Sequence, residues 1–184
     1  MVEDELVITV ERCGHFGETS GLDAGVRRNI EAFFLSLGRE LEFLRTRPED
    51  VERAEVLLLA RLDGVLAGMI GVVRRFRGVP CTFVVVKKEY QRRGIARVLY
   101  EARRPYCRRY NVVFSIVLAG NRSGRDFFAK AGEKKVVENG RYIVFVTSQK
   151  RVIRCLYPLF RLLLLPLLKR RCATEIQGQS VTKG

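Results

Sequence analysis

The residues best equipped for chemistry lie between positions 84 and 97. Val84-Val85-Val86 is a β-branched run with the character of a strand, and Gln91-Arg92-Arg93-Gly94-Ile95-Ala96-Arg97 follows after a short connection. Ile95, Val98, Leu99 and Ala102 then recur at helical spacing, so a helix starts at once beyond Gly94. The first amides of a helix have no partner in their own helix, and its dipole places about half a positive charge there. Gly94 permits close approach and unusual φ, while Ala96 is small enough to leave the backbone reachable. Arg92, Arg93 and Arg97 add fixed charge. The chemistry implied is capture of a phosphorylated anion, with a diphosphate fitting such a turn best.

The elements that must hold this turn can be traced along the chain. Residues 6–10 read as a short strand, followed by a glycine-rich loop over 14–25. Val26, Ile30, Phe33, Phe34, Leu37 and Leu41 mark one face of a helix. Pro48 with Glu49 and Asp50 opens a second, shorter helix. A hairpin follows, with strands at 56–62 and 65–73 around the turn Asp63-Gly64. The next strand, 80–87, delivers the chain to the basic turn. Pro105 is expected to kink or end the helix after Gly94. Residues 112–118 form a further strand, and 122–131 a short helix carrying Phe127 and Phe128, closed by Gly132. A last hairpin spans 135–147 around Asn139-Gly140. The order β-α-α-β-β-β-α-β-α-β-β predicts an α/β (α+β) fold. Its sheet should be mixed and largely antiparallel, flanked by helices, with at least one parallel pair where a helix connects strands.

Composition sets the outer bounds. The chain has 184 residues, 47 % apolar and 29 % charged, which suits one globular domain with an appendage. Its net charge of +14 favours anionic partners: a phosphorylated cofactor, nucleic acid or an anionic membrane surface. The interleaved aromatic and basic pattern of RNA-binding modules is missing, which argues against nucleic acid. Five cysteines lie far apart without a CxxC, and no signal peptide opens the chain, so a reducing, cytoplasmic setting is expected. Cys13 and His15 make half of a metal site with no second half, so no metal is expected.

Residues 150–172 stand apart. They hold Lys150, Arg151, Arg154, Arg161, Lys169, Arg170 and Arg171 and no acid, around a Leu-rich core broken by Pro158 and Pro166. That segment is too short and too charged to span a bilayer. Two readings stand: it packs on the domain or on a second copy in a homodimer, or it lies on an anionic membrane as a peripheral anchor.

The pattern Gln91-x-x-Gly94-x-Ala96, after a β-branched strand and before an amphipathic helix, resembles the Arg/Gln-x-x-Gly-x-Gly/Ala motif of the Gcn5-related N-acetyltransferase (GNAT) superfamily. The stretch Asp63-Gly64-Val65-Leu66-Ala67-Gly68 looks like the hairpin preceding the cofactor strand in these enzymes. The segment from Asn121 through Phe127-Phe128 to Gly132 is similar to the family's later motif. The resemblance covers about residues 6–147, and is nearest to the branch with ribosomal-protein N-terminal acetyltransferases. It implies an acyl-CoA-binding acyltransferase domain over 1–148, beyond which the residues themselves read as a basic Leu-rich extension over 149–172 and a disordered tail over 173–184.

It further implies that two parallel strands, here 82–87 and 112–118, splay apart around the pantetheine arm of acetyl-CoA. Acetyl-CoA would be the cosubstrate, with no metal, and the acceptor a primary amine: a protein N-terminus, a lysine or a small amine. Val84, Val85 and Val86 would offer amides to pantetheine or to the thioester carbonyl. Gln91, Arg92, Arg93, Gly94, Ile95, Ala96 and Arg97 would hold the pyrophosphate. Asn121 would bond the arm or order a water, unless it serves only as a turn residue.

The resemblance also implies a proton donor and a base, and this chain departs from both. Phe128 stands where many members carry an acidic Tyr, and Ile116 where the ribosomal branch carries a Glu. Phe128 would still pack beside the thiol end of the arm. Three readings stay open. Water shuttles the protons; or Glu89, Tyr90, Tyr100 or Tyr142 substitutes; or the domain binds acyl-CoA without turnover. Glu18, Asp23, Glu31, Glu40 and Glu42, in the segment that shapes the acceptor pocket in this family, are candidates for attracting an amine.

Overall fold

A computed structural model describes residues 8–13, 23–38, 44, 46–75, 78–148, 155, 158 and 159. Strands β1 (Ile8–Cys13), β2 (Ala54–Leu62), β3 (Val65–Arg75), β4 (Val79–Val86), β5 (Val113–Leu118), β6 (Lys134–Glu138) and β7 (Tyr142–Thr147) form one sheet in the order β1-β2-β3-β4-β5-β7-β6. Every neighbouring pair is antiparallel except β4 and β5. Helices α1 (Ala24–Leu37) and α2 (Pro48–Glu52) cover one face, and α3 (Ile95–Cys107) and α4 (Arg122–Lys130) the other.

Both faces being covered explains why β2 and β3 read as near-continuous apolar runs, where a half-exposed strand would alternate. Alternate residues serve two separate cores. Leu58, Ala60, Ile70 and Val72 pack under α3 with Leu99, whereas Leu57, Leu59, Met69 and Val73 pack under α1 with Phe33 and Phe34. Close strand packing requires a bare backbone at Gly71, where a Cβ would stand 2.4 Å from the Phe83 ring and 2.8 Å from the Val56 carbonyl oxygen. The β2–β3 hairpin turns on Asp63 (φ 51°) and Gly64 (φ 80°), the doubly positive pair that a tight hairpin needs.

The element order matches the sequence expectation, with two differences. The first strand runs to Cys13, and of the expected start at residue 6 only positions from Ile8 on are described. The helix after Gly94 does not stop before Pro105 but continues to Cys107. Pro105 and Glu101, whose carbonyl loses its usual donor, are both exposed, so water can take up the freed acceptor. Helix α1 ends at Leu37 with Gly38 in the left-handed region, and Leu41 lies outside the described residues. So do residues 14–22 and nearly all of 149–184. No helix among the described residues is long and apolar enough to cross a membrane.

Candidate functional site: a split in the sheet beside an amide-rich turn

The parallel pair β4–β5 is joined at only two registers, Cys81↔Phe114 and Thr82↔Ser115. Beyond them β4 stays paired with β3 as far as Val86, and β5 with β7 as far as Leu118. Each strand therefore keeps one neighbour and loses the other. From Phe83 and Ile116 onward two unpaired edges face each other across a gap, and backbone groups there are open to a ligand.

Two contiguous cavities fill this gap. The larger, of about 420 Å³, is walled by Val84, Val85 and Val86 of β4, by the turn from Tyr90 to Arg97, and by one face of α4. The smaller, of about 50 Å³, passes between the strands toward α2 and is walled by Thr82, Phe83, Ile116, Phe128, Thr46 and Arg75, among others. Leu44, Val84, Asn121 and Gly124 line both, so the cleft connects the two faces of the sheet. Its larger part falls in the size range of small-molecule and cofactor sites.

The turn at the mouth is built for an anion. A single 3-10 turn, Lys88–Tyr90, leads from β4. Arg92 (φ 65°) and Gly94 (φ 82°) both adopt left-handed backbone, and a positive φ at a non-glycine residue stores strain. Gln91 Nε2 donates to the Val86 carbonyl at 3.1 Å and straps the turn to the strand end. The Arg97 and Val98 amides both donate to the Gly94 carbonyl, at 2.9 and 3.0 Å. The amides of Gly94, Ile95 and Ala96 find no backbone acceptor among the described residues. A Cβ on Gly94 would meet nothing within 4 Å, so the turn borders open space there. Arg92, Arg97 and Lys130 also line the cleft, against Asp126 as the acid there. Successive free amides beside several cations suit a diphosphate, so the residues present fit the nucleotide end of acetyl-CoA.

The chain matches the model of the acetyltransferase (GNAT) family over residues 26–132, more than half its length. It belongs to the GNAT family. Solved structures share the fold. PH1933 from Pyrococcus horikoshii aligns with 78 % of this GNAT chain and 99 % of its own, at 20 % identity and a TM-score of 0.60. Ard1 from Thermoplasma volcanium aligns over 77 % and 97 %, at 15 % identity and a TM-score of 0.58. The putative acetyltransferase yncA from Salmonella typhimurium, solved with its cofactor acetyl-CoA, aligns over 78 % and 95 %, at 13 % identity and a TM-score of 0.56. A search of curated protein sequences finds no match to the chain.

Around the GNAT cleft, the residues singled out in the sequence fall into distinct places. Val84, Val85, Val86, Gln91, Arg92, Gly94, Ile95, Ala96 and Arg97 all line it. Arg93 does not; its guanidinium lies over the Tyr90 ring, 5.8 Å from the centroid. Asn121 caps α4, its Oδ1 accepting from the Gly124 amide at 2.8 Å, and lines both parts of the cleft. It is thus a helix cap and a wall residue together. Phe128 is buried, its ring against Phe127 and Phe145, with one edge on the smaller cavity.

Of the substitute proton carriers, only Tyr90 lines the cleft. Glu89 is exposed and outside it. Tyr100 is corrected to a core residue: it lies under the sheet, and its hydroxyl donates to Glu133 at 2.8 Å. Burial and the Glu133 carboxylate push its pKa up, so it holds its proton. Tyr142 is buried in the β5–β7 core with Arg141 over its ring. Asp23 caps α1 through the Gly25 and Val26 amides, and Glu31 is exposed. Glu18, Glu40 and Glu42 lie outside the described residues.

The sequence reading missed two groups. Ser123, Asp126, Phe127 and Lys130 form the cleft-facing side of α4, which helical spacing from Asn121 could have revealed. Leu44, Thr46 and Arg75 meet at the other mouth, where Arg75 pairs with Asp50 at 2.5 Å. Only tertiary contact brings these together, and no local signal marks them.

Proposed function

We propose that this GNAT domain transfers the acetyl group of acetyl-CoA to a primary amine by direct attack. The observation that carries this reading is the unpaired β4 edge at Val84 to Val86, continuous with the amide-rich turn at Gly94. In that reading the turn and Arg92, Arg97 and Lys130 hold the pyrophosphate, and the pantetheine arm lies along the open edge. A β4 amide then polarises the thioester carbonyl. The amine enters from the α2 side, where Leu44, Phe83 and Ile116 exclude water. Its nitrogen lone pair attacks the carbonyl carbon, the C–S bond breaks, and sulfur leaves as thiolate. One proton returns to that thiolate and one leaves the new amide nitrogen. Tyr90 and water in the open cleft carry them, because neither Phe128 nor Ile116 can. Much of the rate then comes from positioning.

A second reading, an acyl-CoA-binding module without turnover, is favoured by those same two apolar residues. Thiol release from acetyl-CoA across a panel of peptides, polyamines and small amines separates the two. Release with any amine supports transfer. Tight acetyl-CoA binding by calorimetry with no release across the panel leaves the binding module standing.

A further inference from the structure

Beneath the split lies a charged cluster that neither cofactor capture nor proton transfer employs. Arg103 of α3 and Glu133, just after α4, have side chains only 2 % and 0 % exposed and form an ion pair at 3.6 Å. The Tyr100 hydroxyl donates to the same carboxylate oxygen, and the Arg103 guanidinium sits 4.3 Å from the Tyr100 ring centroid. Arg103 Nη1 also donates to Thr82 Oγ1. Burial pushes the Glu133 pKa up, and Arg103 and the Tyr100 hydroxyl oppose that shift; the buried Ser115 hydroxyl makes no hydrogen bond among the described residues.

Such a cluster is a poor device for stability. Desolvating two charges consumes most of their attraction, and apolar replacements of similar volume are often as stable. Here the pair is not even fully satisfied, since Arg103 Nε and Glu133 Oε2 make no hydrogen bond. Its location is the informative feature. Thr82 and Ser115 are the final register before β4 and β5 part. Arg103 and Thr82 belong to the half of the molecule made by α3 and β4. Ser115 and Glu133 belong to the half made by β5, α4 and β6. The reverse turn after α4 delivers Glu133 inward: Gly132 takes φ 79°, and the Glu133 amide donates to the Phe128 carbonyl at 3.1 Å.

We propose that Arg103 and Glu133 are positioning residues whose buried pair pins the two halves of the sheet where they diverge. The pin sets the gap in which an acyl-pantetheine arm meets the open edge of β4. This inference rests on the acyl-CoA reading of the cleft, and its test keeps the two apart.

Calorimetry with two probes isolates the gap from the turn: acetyl-CoA, and adenosine 3′-phosphate 5′-diphosphate, the nucleotide half that lacks the arm. The difference between them measures the arm's contribution. In the paired variant Arg103→Met/Glu133→Leu, which removes both charges, nucleotide affinity should stay within about threefold while acetyl-CoA binding weakens about tenfold. Tyr100→Phe, which deletes only the hydroxyl that bonds Glu133 across the two halves and lies outside the cleft, should weaken acetyl-CoA about threefold and leave the nucleotide unchanged. It decides the matter if the paired variant does not fold. A folded variant that keeps the arm's full contribution overturns the pin. So does a parallel loss of both probes, which would mean a general structural role. Failure of the unmodified protein to bind acetyl-CoA instead overturns the acyl-CoA reading itself, and the pin with it.

Discussion

Gln91 reaches back from the turn to hydrogen-bond the Val86 carbonyl, closing a loop of five residues at the end of β4. The bond fixes the turn relative to the strand edge that would carry the arm, so one side chain couples the two ends of the proposed cofactor site. Gln91→Leu removes the bond without adding charge. Acetyl-CoA affinity should fall about three- to tenfold, with the melting temperature nearly unchanged because Gln91 is exposed. Calorimetry beside a thermal melt reads both, and an unchanged Kd would show that the strap does not order the turn.

Gly94 makes a stronger demand. Its φ of 82° disfavours any side chain, and its missing Cβ faces open space at the mouth of the cleft. Gly94→Glu should place a carboxylate where a diphosphate would dock. We expect at least a tenfold loss of acetyl-CoA affinity, about 1.4 kcal/mol. Undiminished binding would mean that the pyrophosphate sits elsewhere.

Acid should weaken one surface network in a defined window. Burial alone would raise the pKa of Glu55, but the Tyr110 hydroxyl, Arg109 and Arg74 outweigh it and hold the group at about 2. A folded pKa below the unfolded value, ordinarily 4.5, gives stability that is present above 4.5 and is lost as pH falls through about 2. Glu55→Gln should therefore melt below the unmodified protein at pH 7, and the gap should close between pH 4.5 and 2. A gap that stays constant down to pH 2 would assign the effect to packing and not to charge.

The β3–β4 seam offers a test of packing alone. Gly71→Ala would bring a methyl 2.4 Å from the Phe83 ring and 2.8 Å from the Val56 carbonyl oxygen. Overpacking of this kind costs about 1–3 kcal/mol, and a backbone oxygen gives way poorly. Chemical denaturation should show a loss in that range. A neutral result would mean that the Phe83 ring moves aside freely.

What could be read from the residues was what local physics decides. The Asp63-Gly64 turn, the helix beginning beyond Gly94 and the cap at Gly132 each depend on neighbours a few positions away, and all were legible. Asn121 was legible as a residue of interest because it precedes a helix, though capping and lining the cleft proved to be joint duties. Tyr100 misled because a phenol on an amphipathic helix carries no label for which side it faces. Nothing local marked Arg103 as buried, since an arginine in such a helix ordinarily lies on the wet face. It is dry only because Glu133 arrives from thirty positions later in the chain. The meeting of Arg75, Asp50, Thr46 and Leu44 likewise has no signature at short range.

A ladder of hydrogen bonds that stops two rungs into β4 and β5 leaves the protein, in effect, one strand short of closure. Whatever molecule supplies the absent rungs becomes part of the architecture while it stays. Resistance to heat or protease should then rise with the logarithm of that molecule's concentration above its Kd. The protein's lifetime would report how well the cell is supplied with that molecule.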